Sequence, residues 1–383
     1  MRNSFLMHRR PDARSPHSRF AQFASLASRV ALRCLAVAAM ACGSVGALAE
    51  NTPTAPTRLK VVGGLAGLNQ YTRNEAPFWT EELSRLTDGK YTAEIAPFDQ
   101  SGIPGDEMLR LMQLGVVPLG TALLSQASAQ APEFAAADLA GMNPDIQTLR
   151  KNISAFRPYL EKTLRNRHHI ELLAIYTYPA QVVFCKKPIA SLADLAGRRV
   201  RVSGITQSDF VGALGAIPVV TGFAQILPNM ASGNTECAIT GTMSGNVLGL
   251  HEVTSYVYTL PITWGLAIFG ANTTAWEALP SDLRTVLRRE LPKLEAAIWH
   301  ESDLQTNEGL ACNRGAPECV NGRRGRIKEV LATAADEKLR QNILHQVVLP
   351  RWLQRCNSRC KAIWEQTIGA QQPPLLAPST GKP

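Results

Sequence analysis

The chain has 383 residues, of which 45% are hydrophobic and 19% are charged. This length allows two or three domains, and the ordinary composition excludes collagen-like, coiled-coil and wholly disordered proteins. The formal net charge is +9, but the first 49 positions hold seven of the 40 basic residues and only one of the 31 acidic residues. The rest of the chain therefore has 33 basic and 30 acidic residues, and this balance of +3 argues against a nucleic-acid partner.

The first 49 residues have the pattern of a secretory signal peptide. An arginine-rich, acid-poor segment ends at Arg33, and the apolar run that follows ends in the small-x-small pattern Ala47-Leu48-Ala49 required by signal peptidase. The run of about 16 residues is short for a membrane span, which needs roughly 20. We therefore expect residues 1–49 to be a cleaved signal peptide and the mature protein to be periplasmic. An uncleaved anchor, a mitochondrial presequence and a lipoprotein attached at Cys42 are the alternatives.

Six cysteines remain after the signal peptide, and an even number in an exported chain favours disulfides. We expect a Cys312–Cys319 bridge across a turn-rich loop and a Cys356–Cys360 bridge across one helical turn. The alternative is a single zinc site built from these four residues, although neither pair has the tight C-x2-C spacing. Cys185 and Cys237 are expected in core strands, either paired or unpaired.

Strand and helix patterns alternate along the mature chain. Before Tyr178-Pro179 the sequence predicts strands at 59–62, 91–95, 116–123 and 170–176 and helices at 77–86, 104–114 and 145–165. After it the sequence predicts strands at 182–185, 199–202, 217–220, 237–240 and 262–270 and helices at 208–214, 281–291, 292–307 and from 333 onward. This alternation indicates an α/β fold. Residues 369–383 are Pro-rich and are expected to form a disordered tail.

The mature chain carries no familiar catalytic or cofactor motif. Gly63-Gly64-Leu-Ala-Gly67 follows a strand but is not G-x-G-x-x-G, and the P-loop, G-x-S-x-G and H-E-x-x-H patterns do not occur. Of the five histidines in the mature chain, three lie in separate segments, and His168-His169 ends a basic helix. We therefore expect no catalytic residues, no metal and no cofactor.

One segment has the character of a ligand site. A capped helical turn with a glycine stop precedes a strand that carries Arg201 between Val200 and Val202. Strand alternation places Arg201 on the face opposite both valines. The strand ends at Ser203-Gly204 before a new helix, at the edge where open α/β sheets bind ligands. We predict that Arg201 binds the ligand; a surface arginine in a salt bridge is the alternative.

Four segments, in their order and spacing, resemble those of one protein family. They are Phe98-Asp-Gln100-Ser-Gly-Ile-Pro-Gly-Asp106-Glu107, Lys187-Pro188-Ile-Ala-Ser-Leu-Ala-Asp-Leu-Ala-Gly-Arg-Arg-Val-Arg201-Val, Gly215-Ala-Ile-Pro218 followed by Phe223-Ala-Gln225, Ser232-Gly233 and Glu236, and Asn272 followed by Trp276-Glu-Ala-Leu279-Pro280. Together they resemble the substrate-binding proteins of TRAP (tripartite ATP-independent periplasmic) transporters, the DctP-like type. The resemblance covers about residues 58–367.

The resemblance implies a two-lobed periplasmic-binding-protein clamshell of the α/β class, with several crossovers between the lobes and a long helix after Pro280 that spans both. The lobes would be residues 50–180 with part of 262–295, and residues 181–261 with part of 296–368. Such a protein binds an organic acid anion and delivers it to the membrane subunits of a TRAP permease. We expect a monomer. A ligand-sensing protein that serves a signalling partner and an exported enzyme on a similar fold are the alternatives.

The resemblance also implies site residues. The family's strand arginine, which pairs with the ligand carboxylate, matches Arg201, and its stacking aromatic matches Phe223. The position of the family's second polar partner, usually an asparagine, falls near Thr240, with Thr242 close by, and that of a second basic residue often found in the family falls near Gln181. Because these positions lack a second charge partner, a ligand with one carboxylate and a less polar body fits better than a dicarboxylate or sialic acid.

Two aromatic residues are further candidates for the walls of the site. Tyr178 precedes the second unit, and Trp264 lies in a later apolar strand. Both supply the flat apolar surface that the less polar body of such a ligand needs.

Overall fold

The computed structural model describes residues 57–371. The predicted signal peptide and residues 372–383 lie outside the described residues. The first three residues of the predicted tail, Gly369–Gln371, form a 3-10 turn instead of a disordered segment. Within residues 57–371, no helix is both long enough and apolar enough to cross a membrane.

The strands of residues 57–371 form two separate sheets. The strands are β1 Thr57–Gly63, β2 Tyr91–Pro97, β3 Leu119–Leu123, β4 Ile170–Thr177, β5 Gln181–Cys185, β6 Arg199–Val202, β7 Ile217–Val220, β8 Cys237–Gly241, β9 Tyr256–Thr263, β10 Leu266–Asn272 and β11 Lys328–Val330. The first sheet has the order β2-β1-β3-β10-β4, and the second has the order β11-β9-β5-β8-β6-β7.

Helices cover both sheets. The α-helices are α1 Leu83–Leu86, α2 Met108–Gln113, α3 Leu124–Ala127, α4 Ile146–His168, α5 Ile205–Ala213, α6 Ile226–Ser232, α7 Thr242–Val247, α8 Leu250–Val253, α9 Thr273–Ala278, α10 Ser281–Arg314, α11 Ala334–Ile343, α12 Leu349–Arg355 and α13 Asn357–Gln366. Strands β8 and β10 are buried along their whole length, as expected when helices pack on both faces of a sheet. The predicted two-lobed α/β fold is confirmed, and each lobe is built around one sheet.

Within residues 57–371 the chain crosses between the two sheets three times, and the first two crossovers are neighbours in space. The segment Tyr178-Pro179-Ala180 joins β4 of the first sheet to β5 of the second, and Trp264-Gly265 joins β9 of the second sheet to β10 of the first. The Tyr178 N–H donates to the Gly265 carbonyl at 3.2 Å, so the two crossovers run side by side. Gly265 has a φ of +79°, a left-handed conformation that favours glycine. The single strand predicted at 262–270 is wrong, because this apolar run is divided between two sheets.

The predicted long helix is α10, and it packs on both lobes. The Trp299 indole N–H donates to the Ile175 carbonyl of β4 at 2.7 Å, and the Asn313 side-chain amide donates to the Thr242 carbonyl of α7 at 2.9 Å. Pro292 lies inside this helix instead of opening a second one, so the break predicted there is wrong. A helix attached at both ends to different lobes limits their relative movement.

The C-terminal helices also connect the lobes. The Arg355 guanidinium binds the carboxylate of Asp209 in α5 of the second lobe, with an Nη2–Oδ1 distance of 2.7 Å. The neighbouring Trp352 indole N–H donates to the Pro132 carbonyl of the first lobe at 2.7 Å. The helix predicted from 333 onward is α11, and Thr333 and Asp336 form a capping box at its start.

The six cysteines of the described residues form three disulfides. The structure contains the Cys312–Cys319 and Cys356–Cys360 bridges expected from the sequence, so these sulfurs are not arranged as a zinc site. The third bridge joins Cys185 in β5 to Cys237 in β8, which stand directly opposite each other in the antiparallel ladder with a Cα–Cα distance of 4.1 Å. It therefore fastens two central strands of the second sheet, 52 residues apart in sequence.

Candidate functional site

Two adjoining cavities lie between the lobes, beside the crossovers. The Arg201 cavity is lined by Leu65, Leu68, Leu123, Ser125, Gln126, Tyr178, Gln181, Arg201, Ser203, Phe223, Thr240, Gly241, Ser244, Gly265 and Leu266. The Asp138 cavity, named after the acidic residue in its lining, shares Ser125, Ser203, Gly265 and Leu266 with the first. Both lobes and the second crossover contribute lining residues, so a ligand here would touch both halves of the molecule.

Arg201 is held in place by backbone carbonyls. It lies on β6 between β7 and β8, and its side chain is 3% exposed. Its Nε and Nη2 donate to the Thr221 carbonyl at 3.1 and 2.8 Å, and its Nη1 donates to the Ile239 carbonyl at 2.8 Å. Burial without a compensating carboxylate lowers the pKa of Arg201 to about 9, so the guanidinium stays positively charged at neutral pH.

These contacts leave part of the guanidinium available to a ligand. Three of its five N–H groups are bound to carbonyls, so one N–H remains on each terminal nitrogen. Two N–H groups on the two terminal nitrogens are what a carboxylate needs for two parallel charge-assisted bonds. Among residues 57–371, Arg201 forms no ion pair with an acidic side chain. The salt-bridge alternative for this arginine is therefore wrong.

Two further polar groups lie at the same cavity, at the end of β8. Thr240 is 2% exposed, and Ser244 lies one turn later at the start of α7. A Cβ added to Gly241 would lie 2.6 Å from the Ser244 hydroxyl, so glycine keeps this hydroxyl close to the strand end. Of these groups, the sequence pointed to Thr240 but not to Ser244.

Apolar side chains from both lobes form the remaining walls. Leu65 and Leu68 come from the segment after β1, Phe223 comes from the turn before α6, and Tyr178 comes from the first crossover. Burial raises the pKa of Tyr178 well above its ordinary value, so its hydroxyl is neutral at physiological pH. The structure thus brings Tyr178 and Phe223, two residues singled out from the sequence, to the Arg201 cavity.

Two residues singled out from the sequence do not line either cavity. The Thr242 hydroxyl donates to the Gln305 carbonyl of α10 at 3.2 Å, and this contact joins α7 to the long helix. The Trp264 indole N–H donates to the Asn143 carbonyl at 3.0 Å, and its ring is buried in the core. In this structure the Thr242 side chain therefore contacts α10 and the Trp264 side chain packs in the core.

A buried carboxyl group supports the apolar wall from behind. Glu75 is 1% exposed, and its Oε2 accepts the Gly64 N–H at 2.7 Å. A Cβ on Gly64 would lie 2.9 Å from Glu75 Oε1, which explains the glycine at this position. Burial raises the pKa of Glu75 to about 7. The glycine run at 63–67 therefore shapes the turn that carries Leu65 into the cavity.

Several lining residues were not found from the sequence. Ser125 and Gln126 follow β3, and Gln207 lies in α5, where it lines the Asp138 cavity. The signal for Ser125 and Gln126 was their place just after a strand of the first sheet, a position equivalent to the strand end that drew attention to Arg201 in the second sheet. Gln207 had no such signal, because a glutamine in a helix is ordinarily a surface residue.

The comparisons with known proteins agree with this architecture. Residues 63–312 match the family model DctP, described as bacterial extracellular solute-binding protein, family 7. A solute-binding protein of Roseobacter denitrificans is 26% identical over 191 residues, which cover 49% of this chain and 58% of that protein. The match thus spans less than two thirds of the relative's length.

Solved structures share the fold. A Bordetella pertussis extracytoplasmic solute receptor that binds pyroglutamic acid aligns with a TM-score of 0.72 and 21% identity, covering 81% of this chain and 99% of its own. A marine metagenome TRAP solute-binding protein specific for pyroglutamate gives the same TM-score and identity, covering 82% and 99%. A Shewanella oneidensis TRAP protein with bound succinate aligns with a TM-score of 0.70 and 17% identity, covering 83% and 100%. The chain therefore belongs to the DctP family of bacterial extracellular solute-binding proteins, as its sequence motifs indicated.

Proposed function

We propose that the protein is a periplasmic receptor that binds one small organic acid anion in the Arg201 cavity and delivers it to a TRAP permease. The observation that carries this proposal is the buried Arg201 guanidinium, which has two N–H groups without a protein partner in the described part of the chain. A buried cation without a counter-ion is costly, and a ligand carboxylate would remove that cost. Thr240 and Ser244 hydroxyls complete the anion's coordination.

The proposed ligand has a single carboxylate and a compact, partly apolar body. Arg201 is the one charged residue among those lining its cavity, and the adjoining cavity adds the carboxylate of Asp138. A second ligand carboxylate would therefore meet no cation and would approach a like charge. Two structural relatives bind pyroglutamate, which has one carboxylate on a small ring. We take pyroglutamate and ring acids of similar size as the first candidates.

The proposal includes a cycle of opening and closing. Lining residues come from both lobes, so a ligand can contact Arg201 and Leu65 together only when the lobes are closed. In this proposal the lobes are residues 50–180 with part of 262–295, and residues 181–261 with part of 296–368. The receptor is monomeric and is exported by the signal peptide at 1–49, with Glu50 as the first mature residue. It performs no reaction on its ligand.

Identification of the bound acid is the experiment that tests this proposal. The mature protein is purified from the periplasm without added ligand, and the bound small molecules are released and identified by mass spectrometry. A stoichiometric monocarboxylate that rebinds in calorimetry supports the proposal. A dicarboxylate, a neutral solute or chemical turnover of the acid contradicts it. Permease genes beside this one distinguish delivery from the alternative of a sensor that serves a signalling partner.

A further inference from the structure

We propose that Gln207 fixes the orientation of the Gln181 side-chain amide, so that the site presents a neutral hydrogen-bond donor to the ligand near the Arg201 cation. Gln207 is thus a positioning residue that sets which second polar group the ligand must have. The inference rests on the proposed function, because it concerns the other end of the same ligand.

The orientation starts at a backbone N–H that can only donate. The Ser203 N–H, directly after β6, donates to Gln207 Oε1 at 2.8 Å. This bond fixes which end of the Gln207 amide is oxygen. The nitrogen of the same amide then faces the other way, and it donates to Gln181 Oε1 at 2.6 Å and to Thr263 Oγ1 at 2.7 Å. Gln207 is 2% exposed, so these bonds are shielded from bulk water.

The contacts of Gln207 and Thr263 also orient the side-chain amide of Gln181, which lines the cavity. Its Oε1 accepts from Gln207 and from the Thr263 hydroxyl, the latter at 2.9 Å, so the oxygen is occupied. Its Nε2 has no protein partner in residues 57–371, and Gln181 lines the Arg201 cavity. A Cβ on Gly265 would lie 2.6 Å from this nitrogen, so glycine leaves room for the amide.

The opposite orientation is unfavourable at each step. Turning the Gln181 amide alone would place its nitrogen against the Gln207 nitrogen, where the two atoms now in contact are 2.6 Å apart. Turning both amides would leave the Ser203 N–H facing a nitrogen, without an acceptor. A buried donor left without an acceptor is more costly than a hydrogen bond is favourable. The side-chain amides of Gln207 and Gln181 therefore have one preferred orientation.

The orientation of the Gln181 amide, with its nitrogen toward the cavity, defines a class of ligand. The cavity offers a cation at Arg201 for a carboxylate and an N–H group at Gln181 for a neutral acceptor, such as a carbonyl or hydroxyl oxygen. A site built to donate a hydrogen bond discriminates against an analogue that lacks the acceptor, because its own polar group is then unpaired. The ligand is therefore a carboxylic acid that carries a second, uncharged oxygen.

The test compares two probes and three variants by calorimetry. The probes 3-oxocyclopentanecarboxylate and cyclopentanecarboxylate both carry a carboxylate on a five-membered ring, neither has a ring N–H, and only the first has a ring carbonyl. We expect the wild type to bind the oxo acid on the order of tenfold more tightly. In Gln207→Glu both carboxylate oxygens accept, so Gln181 Nε2 turns toward residue 207 and its oxygen faces the cavity. The preference for the oxo acid should then be lost, and Gln207→Met should give an intermediate preference. Gln346→Glu, an exposed position with the same charge change, should leave the preference unchanged.

The outcomes that overturn the inference are distinct from failure of the proposed function. Equal affinity of the wild type for both probes, or equal weakening of both probes in Gln207→Glu, overturns it. If the wild type binds no carboxylate at all, the proposed function fails, and the amide orientation is still measurable. In ¹⁵N-edited NMR of the wild type, Gln207 side-chain amide protons should exchange slowly and those of Gln181 faster. The reverse order would show that the Gln181 amide does not face the cavity as a donor.

Discussion

Replacement of Arg201 by alanine separates the proposed ligand-binding role of this residue from its structural role. The substitution removes the cavity's one cation and the three N–H groups that now bind the carbonyls of Thr221 and Ile239. Loss of a charge-assisted pair with a ligand carboxylate costs roughly 1.5–3 kcal/mol, and leaving that carboxylate unpaired in the closed site adds to the cost. We therefore expect the affinity for the bound acid to fall about 100-fold.

The effect on the stability of the unliganded protein should be small, because two contributions oppose each other. Two carbonyls without donors cost about 1–3 kcal/mol each. In the other direction, burial lowers the pKa of Arg201 from 12.5 to about 9, so removing the buried charge relieves a destabilisation of about 5 kcal/mol. These contributions nearly cancel, so the midpoint of thermal unfolding should change by less than about 5 °C. Arg201→Lys keeps the positive charge but loses the planar guanidinium that makes two parallel hydrogen bonds to a carboxylate. It should also weaken binding substantially.

Calorimetry with the co-purified acid and thermal melts of the unliganded variants test both halves of this prediction. Arg199→Ala is the matched control, because Arg199 lies on the same strand, is exposed, and binds the carbonyls of Gly233 and Asn234 away from the cavity. It should leave the affinity unchanged. Unchanged affinity in Arg201→Ala would refute the assignment of the site. A large fall in the melting midpoint of Arg201→Ala would instead show that the carbonyl contacts outweigh the cost of the buried charge.

Two other predictions concern closure and pH. A Cβ on Gly204 would lie 2.8 Å from the Ser125 carbonyl of the other lobe, so Gly204→Ala should hold the lobes apart and weaken ligand binding roughly tenfold, with little effect on the open form. Gly212→Ala, where the added carbon meets nothing within 4 Å, is the control, and an equal affinity of the two variants in calorimetry would contradict the idea. Burial raises the pKa of Glu75 from 4.5 to about 7, so the folded state holds this proton more tightly than the unfolded state and loses stability as pH rises from about 4.5 to 7. In Glu75→Gln the melting midpoint should therefore depend less on pH in this range. An unchanged slope would contradict the assignment of this pH dependence to Glu75.

Patterns that act over a few residues were predictable from the sequence. The strands at 199–202 and 217–220 have the predicted bounds, and the capping box at Thr333 follows from its side chains alone. The break at Pro292 was predicted wrongly because a proline removes one hydrogen bond of a helix, and packing on both lobes compensates for that loss in α10. The apolar run at 262–270 was also misread, because local hydrophobicity does not show which of two sheets a strand joins.

The candidate site was predictable only where one residue carries the chemistry. Arg201 was recognisable because a charged residue among strand valines needs a reason to be buried. Thr242 and Trp264 lie close in sequence to lining residues, but their side chains point to α10 and to the core. Gln207 became visible only through its contacts, since its role depends on three elements that are distant in sequence. Orientation of a neutral amide is a property of the assembled fold.

The position of the cavities explains how binding and closure are linked in the proposed receptor. Arg201 and Thr240 stand at strand ends of the second sheet, and Leu65 and Ser125 follow strands of the first. The second crossover supplies Gly265, which lines both cavities and contacts the first crossover through its carbonyl. A rotation of the lobes about the two crossovers would separate the walls and would move Gly265 least, because Gly265 lies in one of these crossovers. A ligand that contacts both walls binds the closed form more tightly than the open form, and this difference in binding free energy stabilises the closed form. A ligand that contacts one lobe alone binds both forms equally and does not favour closure.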